Sequence, residues 1–343
     1  MSETPSKPAT LHDVARLAQV SYQTVSRVIN NHPNVAKETR VRVLQAIHTL
    51  DYRPNRAARI LITGRSQTLQ LISFNLAFFQ PIQYIIHEAR ELGYRLGISA
   101  LRDPSSREEL QALLDDLTTG MVDGFLLFGP EVNLNFEDFN RMCRGIPFVQ
   151  IGANPGPMIP AVVFDQRHGT RQAIQHLLDL GHRSIAEIWG NLSIYDAKIR
   201  HETYLEVMQS NGLTPGPHIG TDFTIPSGFQ AACQLIKQDM PFTALVCGND
   251  QVALGVLRAL HQHHIRVPED VSVVGFDDDL NVAYYEPPLT TVRQDYTAQG
   301  RQGIQYLVSL IKDPLTLRYQ QIIYPELIIR ESTARIRSMK MVS

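Results

Sequence analysis

The chain has 343 residues, of which 43% are hydrophobic, enough for more than one domain with a sizeable core. No apolar run reaches the roughly 18 residues of a membrane-spanning helix. The N-terminal segment lacks a basic start followed by an apolar stretch, so we expect no secretory signal peptide. Three widely spaced cysteines, Cys143, Cys233 and Cys247, fit a reducing cytoplasm better than a disulfide framework.

The net charge of −2 conceals an asymmetry along the chain. Residues 1–66 hold ten Lys or Arg and four Asp or Glu, a net charge of +6, which leaves −8 for the other 277 residues. A basic head on an acidic body favours a polyanionic partner for the head alone. Such a charge, taken by itself, is equally typical of an ordinary solvated surface.

The start of the head predicts two helices joined by a tight turn. Thr10, with Asp13 three residues later, is an N-cap signature that begins the first helix. The turn falls at Gln19 and Val20, and Ser21 caps the second helix. The apolar faces that we expect to be buried are formed by Val14, Ala15 and Ala18 in the first helix and by Val25, Val28 and Ile29 in the second.

A third helix is predicted from about Lys37 to Leu50. Its apolar residues recur every three positions, so we expect Val41, Leu44, Ile47 and Leu50 to form a buried stripe. Two short helices joined by a tight turn and braced by a third make a helix-turn-helix unit.

The outward face of the second helix is polar. Residues 21–31 read SYQTVSRVINN, and Tyr, Gln, Ser, Thr and Arg are side chains that reach base edges and phosphates. Any one of them alone is more typical of a solvated helix surface. Their presence together on one face of a basic head favours DNA binding.

The segments TLHDVARLAQVSYQTVSRVINN and DYRPNRAARIL resemble the DNA-binding head of the lactose/galactose repressor family. The resemblance implies that the second helix lies in the major groove, where Tyr22, Gln23 and Arg27 read bases. The family usually has Gly where this chain has Gln19, and a left-handed non-Gly residue there would cost about 1–2 kcal/mol. The implied DNA-backbone contacts are Thr10, Ser21, Thr24, Ser26, Asn30, Thr39, Tyr52 and Asn55.

A hinge helix and linker are predicted over residues 55–66. Pro54 at a first helical position and two following alanines favour a short helix, which would be unstable alone in water. The resemblance implies that this helix folds on operator binding and pairs with its twin, placing Ala58 and Leu61 in the minor groove. Docking of Leu61 against the body is the alternative.

The body alternates short apolar strands with amphipathic helices, which predicts parallel sheets with helices on both faces. Two such series predict two lobes, and the pattern resembles periplasmic sugar-binding proteins and the repressor family's core. The predicted fold is therefore an all-α helix-turn-helix head with a hinge helix, followed by an α/β body of two doubly wound parallel-sheet lobes. We place the head at 1–54, the N-lobe at 67–164 and 296–323, the C-lobe at 165–292 and 324–335, and a tail at 336–343.

Polar residues follow the predicted strands of the body. Asn249, Asp277 and Gln294 each come just after a strand, and ligands of such folds bind at the carboxyl ends of strands. An arginine, a carboxylate and amides beside an aromatic face suit the hydroxyls and C–H face of a sugar. The effector contacts implied by the resemblance are Phe78, Phe79, Pro81, Phe164, Arg200, Phe223, Asn249, Asp277 and Gln294. Taken alone, Arg200 is more typical of a helix surface.

Two features leave the ligand open. A galactoside-binding member of the family has Asp where this chain has Gly152, so a galactoside is only one candidate. Phe78 and Phe79 resemble an aromatic pair in purine-binding members, which allows a flat ligand.

No catalytic residue, cofactor or metal is predicted. The chain has no nucleophile elbow, phosphate-binding loop or dinucleotide-binding glycine motif. The run 277–279 could suggest a metal, but acidic runs after strands are more often hydrogen-bonded or solvated. His261, His263 and His264 lie near a helix C-terminus, where their charge is favourable, and have no further ligand at a suitable spacing.

We therefore expect a cytoplasmic, nucleoid-associated repressor of a carbohydrate-utilisation operon that binds double-stranded operator DNA and is released by a sugar inducer. A purine-dependent corepressor system is the alternative, followed by a sugar-binding protein without a regulatory role. Two-fold operators require two heads. Because the terminal SMKMVS continues into no heptad helix, we expect a homodimer rather than a tetramer.

Overall fold

The computed structural model describes residues 9–29, 33–52, 64–73, 80–103, 106–119, 122–128, 136–152, 159–238 and 241–336. The chain divides into two compact units, residues 1–66 and 67–343. Among the described residues, no helix has the length and apolar character needed to cross a membrane. Predicted contacts at Asn30, Asn55, Ala58, Leu61, Phe78 and Phe79, and the side chain of Pro81, lie outside the described residues.

The head contains three helices, α1 (Leu11–Ala18), α2 (Tyr22–Ile29) and α3 (Lys37–Thr49). Thr10 caps α1 as predicted, because its hydroxyl accepts the Asp13 N–H while the Asp13 carboxylate accepts the Thr10 N–H at 2.9 Å. Gln19 ends α1 in the left-handed conformation, with φ 53° and ψ 49°. This conformation favours glycine, the residue that the family usually has at this position. Gln19 is therefore strained.

The core of the head joins all three helices. Val14, Ala15 and Ala18 of α1 and Val25 and Val28 of α2 are buried, as predicted. The stripe predicted on α3 is partly wrong: its inner positions are Val43 and Ala46, with Ile47 and Leu50 packed at the edge, while Val41 and Leu44 are 61% and 52% exposed.

The error on α3 has a geometric cause. A spacing of three residues drifts around a helix of 3.6 residues per turn, so four apolar residues at that spacing do not share one face.

The N-lobe is built on a six-stranded parallel sheet in the order β11-β5-β4-β3-β1-β2. One face packs on α4 (Gln80–Glu91) and α11 (Tyr296–Lys312), and the other packs on α5 (Arg107–Thr119) and α6 (Phe136–Met142). The strands are β1 (Thr68–Ser73), β2 (Arg95–Ala100), β3 (Gly124–Phe128), β4 (Phe148–Ile151), β5 (Ala161–Phe164) and β11 (Gln320–Ile323).

The C-lobe repeats this plan with the order β12-β10-β9-β8-β6-β7, in which only β12 is antiparallel among the described strands. Its helices are α7 (Gln166–Asp179) and α8 (Tyr195–Ser210) on one face and α9 (Ile225–Lys237) and α10 (Asp250–Gln262) on the other. The strands are β6 (Ile185–Trp189), β7 (His218–Gly220), β8 (Ala244–Cys247), β9 (Ser272–Asp277), β10 (Thr290–Arg293) and β12 (Glu326–Ile328).

The predicted fold class is confirmed. Strand β7 ends at Gly220, because Phe223 turns with φ 69° and Thr224 caps α9. The chain passes between the lobes after β5, after β10 and after β11. These crossings bring residues from distant parts of the sequence to the edge between the two sheets.

Candidate functional site

The outer surface of α2 is the candidate DNA interface. Val25 and Val28 point into the core, which leaves Tyr22, Gln23 and Arg27 exposed, Tyr22 by 51%. The Tyr22 ring lies 5.7 Å from the ring of His12 on α1. An exposed phenol and amide at the start of α2 and an exposed guanidinium in its last turn form a surface that can reach base edges.

Several residues predicted to contact the DNA backbone also have structural roles in the head. Ser21 caps α2, with its Oγ accepting the Thr24 N–H at 3.2 Å and lying 2.9 Å from the Thr24 hydroxyl. Thr10 caps α1, and the side chain of Tyr52 is buried in the head core. Ser26 and Thr39 are half-buried. Contact of these residues with phosphates stays a prediction.

A cluster of buried polar side chains lies at the carboxyl edge of the C-lobe sheet, and we call it the cleft cluster. Gln294, after β10, donates from Nε2 to Asp277 Oδ1 at 2.7 Å and lies 2.9 Å from the Tyr296 hydroxyl. Gln166, at the start of α7, donates from Nε2 to Gln294 Oε1 at 2.9 Å. Gln166, Asp277 and Gln294 are all buried.

Arg200 completes the cleft cluster from α8. Its Nε donates to Gln166 Oε1 at 2.8 Å, Nη1 donates to the Gly248 carbonyl at 2.6 Å, and Nη2 lies 3.6 Å from Asp277 Oδ1. Its guanidinium carbon is 3.7 Å from the centre of the Phe276 ring. Only 11% of the Arg200 side chain is exposed. Arg200 is therefore not a surface residue, although an arginine on an amphipathic helix is usually one.

Asp196, Gln166 and Tyr296 belong to the site but were missed in the sequence. Asp196 precedes Arg200 by one helical turn, and this i,i+4 spacing of opposite charges was an available signal. Burial raises the pKa of Asp196 to about 7, and nearby Asp277 adds to the rise while Arg200 opposes it. Burial also raises the pKa of Asp277 to about 6 against the effect of Arg200. Two carboxyl groups thus compete for one guanidinium.

Aromatic residues border the cleft cluster. The Phe223 ring packs on Gly190 so closely that a Cβ at that glycine would lie 1.9 Å from the ring. Asn249 fixes this arrangement, because its Oδ1 accepts the Val252 N–H at 2.8 Å and its Nδ2 donates to the Phe223 carbonyl at 3.3 Å. Phe164 ends β5, is buried, and meets the Tyr296 ring edge-on at 5.5 Å.

The acidic run after β9 is occupied by protein partners. Asp278 pairs with Arg293 and Arg330, each at 2.6 Å, and Asp279 accepts from Gln251 Nε2 at 2.9 Å. Within the described ranges, no group of three or more His, Cys, Asp or Glu side chains is arranged to hold a metal ion.

The head and the body each match a known protein family. Residues 10–55 match the bacterial regulatory proteins of the lacI family, and residues 174–333 match the periplasmic binding protein-like domain. The lactose operon repressor of Escherichia coli K12 is 32% identical over 330 residues, covering 95% of this chain and 91% of the relative. The HTH-type transcriptional repressor PurR of Haemophilus influenzae Rd is 35% identical over 337 residues, covering 96% and 99%.

A solved structure agrees with these relatives. The crystal structure of the lac repressor dimer bound to operator and the anti-inducer ONPF matches with a TM-score of 0.85 at 32% identity, covering 96% of this chain and all of that one. The similar proteins are repressors and not enzymes. This chain belongs to the lacI family of bacterial regulatory proteins, and it is a DNA-binding transcriptional repressor regulated by an effector.

Proposed function

We propose that this repressor controls a carbohydrate-utilisation operon and that a neutral sugar releases it from its operator. The observation that carries the proposal is the cleft cluster, where Arg200, Asp277 and Gln294 converge. The Phe223 ring packs on Gly190, which lines the same small cavity as Arg200. Sugar hydroxyls both donate and accept hydrogen bonds, and the C–H face of a pyranose packs on an aromatic ring. A site with both donors and acceptors beside an aromatic face suits such a ligand.

The charge of the site favours a neutral ligand over an anionic one. Asp196 and Asp277 both lie near the cation Arg200, whose guanidinium already contacts Asp277 at 3.6 Å. A sugar phosphate would bring its charge close to these carboxyl groups in a low-dielectric site. An uncharged polyol avoids that repulsion.

A purine-like corepressor is the second candidate, supported by the 35% identity to PurR. A flat heterocycle would also use an aromatic face and an amide. The aromatic pair proposed for such a ligand, Phe78 and Phe79, lies outside the described residues. A sugar and a purine-like ligand are therefore to be distinguished by titrating both into the repressor–operator complex.

On the DNA side, we propose that two copies bind a near-palindromic operator in the cytoplasm, at the nucleoid. Tyr22, Gln23 and Arg27 read bases, since Arg pairs with the O6/N7 edge of guanine and Gln with adenine. The similar solved structure, a repressor dimer on its operator, supports a homodimer. When the effector binds, the two lobes close or shift, which disfavours pairing of the hinge helices. Effector binding and DNA binding are thereby coupled.

The test is fluorescence-anisotropy binding to a lac-type operator duplex at about 150 mM salt, held fixed because phosphate contacts dominate affinity. Galactosides, other mono- and disaccharides, and purines are titrated into the complex. Release by a sugar, with at least a tenfold loss of affinity, supports the proposal. A higher operator affinity in the presence of a purine would mean that the effector is a corepressor and not an inducer. Equal affinity for the operator and for random DNA would refute the proposed operator.

A further inference from the structure

We propose that the outer edge of β11 joins two dimers of this repressor into a tetramer, by antiparallel pairing of β11 with the same strand of a second copy. β11 is the last strand of the N-lobe sheet, and among the described strands only β5 pairs with it. The terminal segment led us to expect a dimer because it contains no heptad helix. The β11 edge offers a contact that does not depend on that segment.

The bonds between β11 and β5 show which backbone groups lie on the outer edge. The carbonyl groups of Tyr319 and Ile323 accept the N–H groups of Ala161 and Asp165, at 3.3 and 3.0 Å. Alternate residues of a strand direct their backbone groups to opposite edges, so those of Ile322 lie on the outer edge. No residue in the described part of the chain bonds to the Ile322 backbone from that side.

Apolar side chains along the β11 edge are exposed. Ile322 is 50% exposed and Tyr324 is 60% exposed, and Leu315 and Leu317 in the preceding loop are largely exposed. The strand sequence YQQIIY, residues 319–324, contains no charge and no proline. Edge strands of soluble proteins usually carry such residues or are covered, because an open apolar edge recruits another strand. The β11 edge therefore suits a partner strand.

The charges on either side of the strand favour a second copy as that partner. An antiparallel pair centred on Ile322 places this residue opposite itself, and it places Arg318 opposite Glu326 of the second copy. The two-fold axis repeats this contact, so the interface contains two pairs of opposite charges. Cross-strand pairs of opposite charge stabilise such an arrangement.

Arg318 and Glu326 are both available for this contact. No helix or turn lies between them, so their eight positions span about 26 Å and they do not pair within one copy. Arg318 is exposed and lies over the ring of Phe136, and no carboxylate of the described residues pairs with it. Arg293 lies opposite Glu326 in β10 but donates to Asp278 instead.

The β11 edge is remote from the strand that follows the linker. Four strand spacings separate β11 from β1 in the sheet, about 19 Å at the usual distance between strands. Two heads on one operator bring together the two linkers, and with them the starts of the two β1 strands. The β11 edge is thus left to join one dimer to another, and a tetramer of this kind has heads for two operators.

The experiment measures the mass of the full chain by light scattering and by sedimentation at micromolar concentrations. We expect a tetramer for the natural chain. Ile322→Lys places two ammonium groups at the two-fold axis, so it should raise the tetramer dissociation constant at least about tenfold and leave a dimer. Ile329→Lys is the matched control, because Ile329 is also exposed but lies outside the paired strand, and it should remain a tetramer.

Charge reversal tests the register of the pairing. Arg318→Glu and Glu326→Arg should each raise the tetramer dissociation constant about tenfold, because the axis repeats the unfavourable contact. The double variant should recover the tetramer, since opposite charges again meet across the axis. Both residues are exposed, so these substitutions should leave the fold unchanged.

A natural chain that does not exceed a dimer, or a tetramer that persists in Ile322→Lys, would overturn the proposal. A monomer in Ile322→Lys would mean that the operator-bound dimer forms at this edge, and it would overturn the joining of two dimers. A double variant that stays dimeric would overturn the register centred on Ile322. Anisotropy with a single operator duplex should show unchanged affinity in every variant, so failure of the tetramer would leave the repressor function standing.

Discussion

The α2 surface and the cleft cluster use the same kinds of side chain in opposite environments. On α2, Gln23 and Arg27 are exposed. In the cleft, Gln294 is 6% exposed and bonded to three neighbours, and Arg200 is engaged at every nitrogen. A duplex is large enough to approach an exposed helix from solvent, whereas a small effector must be enclosed.

Exposed and buried side chains contribute differently to binding and to stability. An exposed arginine can be removed with little cost to the fold, because no buried partner is left behind. A buried arginine shares its charge with a carboxylate, and its removal leaves that carboxylate unpaired. Substitutions in the two regions should therefore divide differently between stability and function.

The sharpest test of this comparison is Arg200→Ala. We expect the body to lose about 3–5 kcal/mol of unfolding free energy, since Asp277 would remain buried without its cation. Urea unfolding monitored by Trp189 fluorescence measures the change in the C-lobe. Arg200→Lys keeps the charge but not the planar fork and should fall between the two proteins. An unchanged unfolding midpoint in Arg200→Ala would mean that the buried guanidinium does not stabilise the body.

The opposite pattern is expected for Arg27→Ala in the head. Stability of the head should change by less than about 0.5 kcal/mol, whereas discrimination between operator and random DNA should fall by about 1–3 kcal/mol per half-site. Anisotropy with both duplexes measures the discrimination. Exposed Lys37→Ala is the charge-matched control, expected to weaken both duplexes alike. Equal losses on both duplexes in Arg27→Ala would refute base reading.

Asp196→Asn tests the electrostatics of the cleft through the pH dependence of stability. The folded-state pKa of about 7 lies above the ordinary value of about 3.9, so the folded chain holds a proton that the unfolded chain releases. Stability of the natural protein should therefore fall as pH rises from about 4 to 7.

Asparagine removes this titration, so we expect the variant to gain about 1–2 kcal/mol over the natural protein across that range, after allowance for solvent screening. Thermal unfolding at pH 4.5, 6 and 8 measures the difference. Asp295→Asn is less suitable as a control because Asp295 caps α11, so exposed Asp179→Asn is preferred. A pH-independent difference would mean that Asp196 is ionised throughout.

The smallest effect is expected for Gln19→Gly. Because Gln19 has φ 53°, glycine should stabilise the isolated head by about 1 kcal/mol while leaving the α2 surface unchanged. Thermal unfolding of residues 1–66 by circular dichroism measures it. Gln23→Gly, in the first turn of α2, should be destabilising instead, and a stabilising effect there would point to a cause other than φ.

The head was predictable because its signals are local. The Thr10–Asp13 capping box and the alternation of apolar and polar residues on α2 act within one or two helical turns. The prediction failed on α3, where Val41 and Leu44 are exposed, because several apolar spacings fit a short helix and only packing selects the inner face.

The sequence alone determined the order of strands and helices, the strand ends that carry Asp277 and Gln294, and the helix-turn-helix head, because each depends on residues close together in the chain. Which polar groups meet depends instead on the packing of segments that are far apart in the chain. Gln166 bonds to Gln294 across 128 positions, and Trp189 packs on His201 and His218. Such pairs depend on how parallel strands are ordered in a sheet and on where the chain crosses between lobes, and no local pattern of side chains encodes that order.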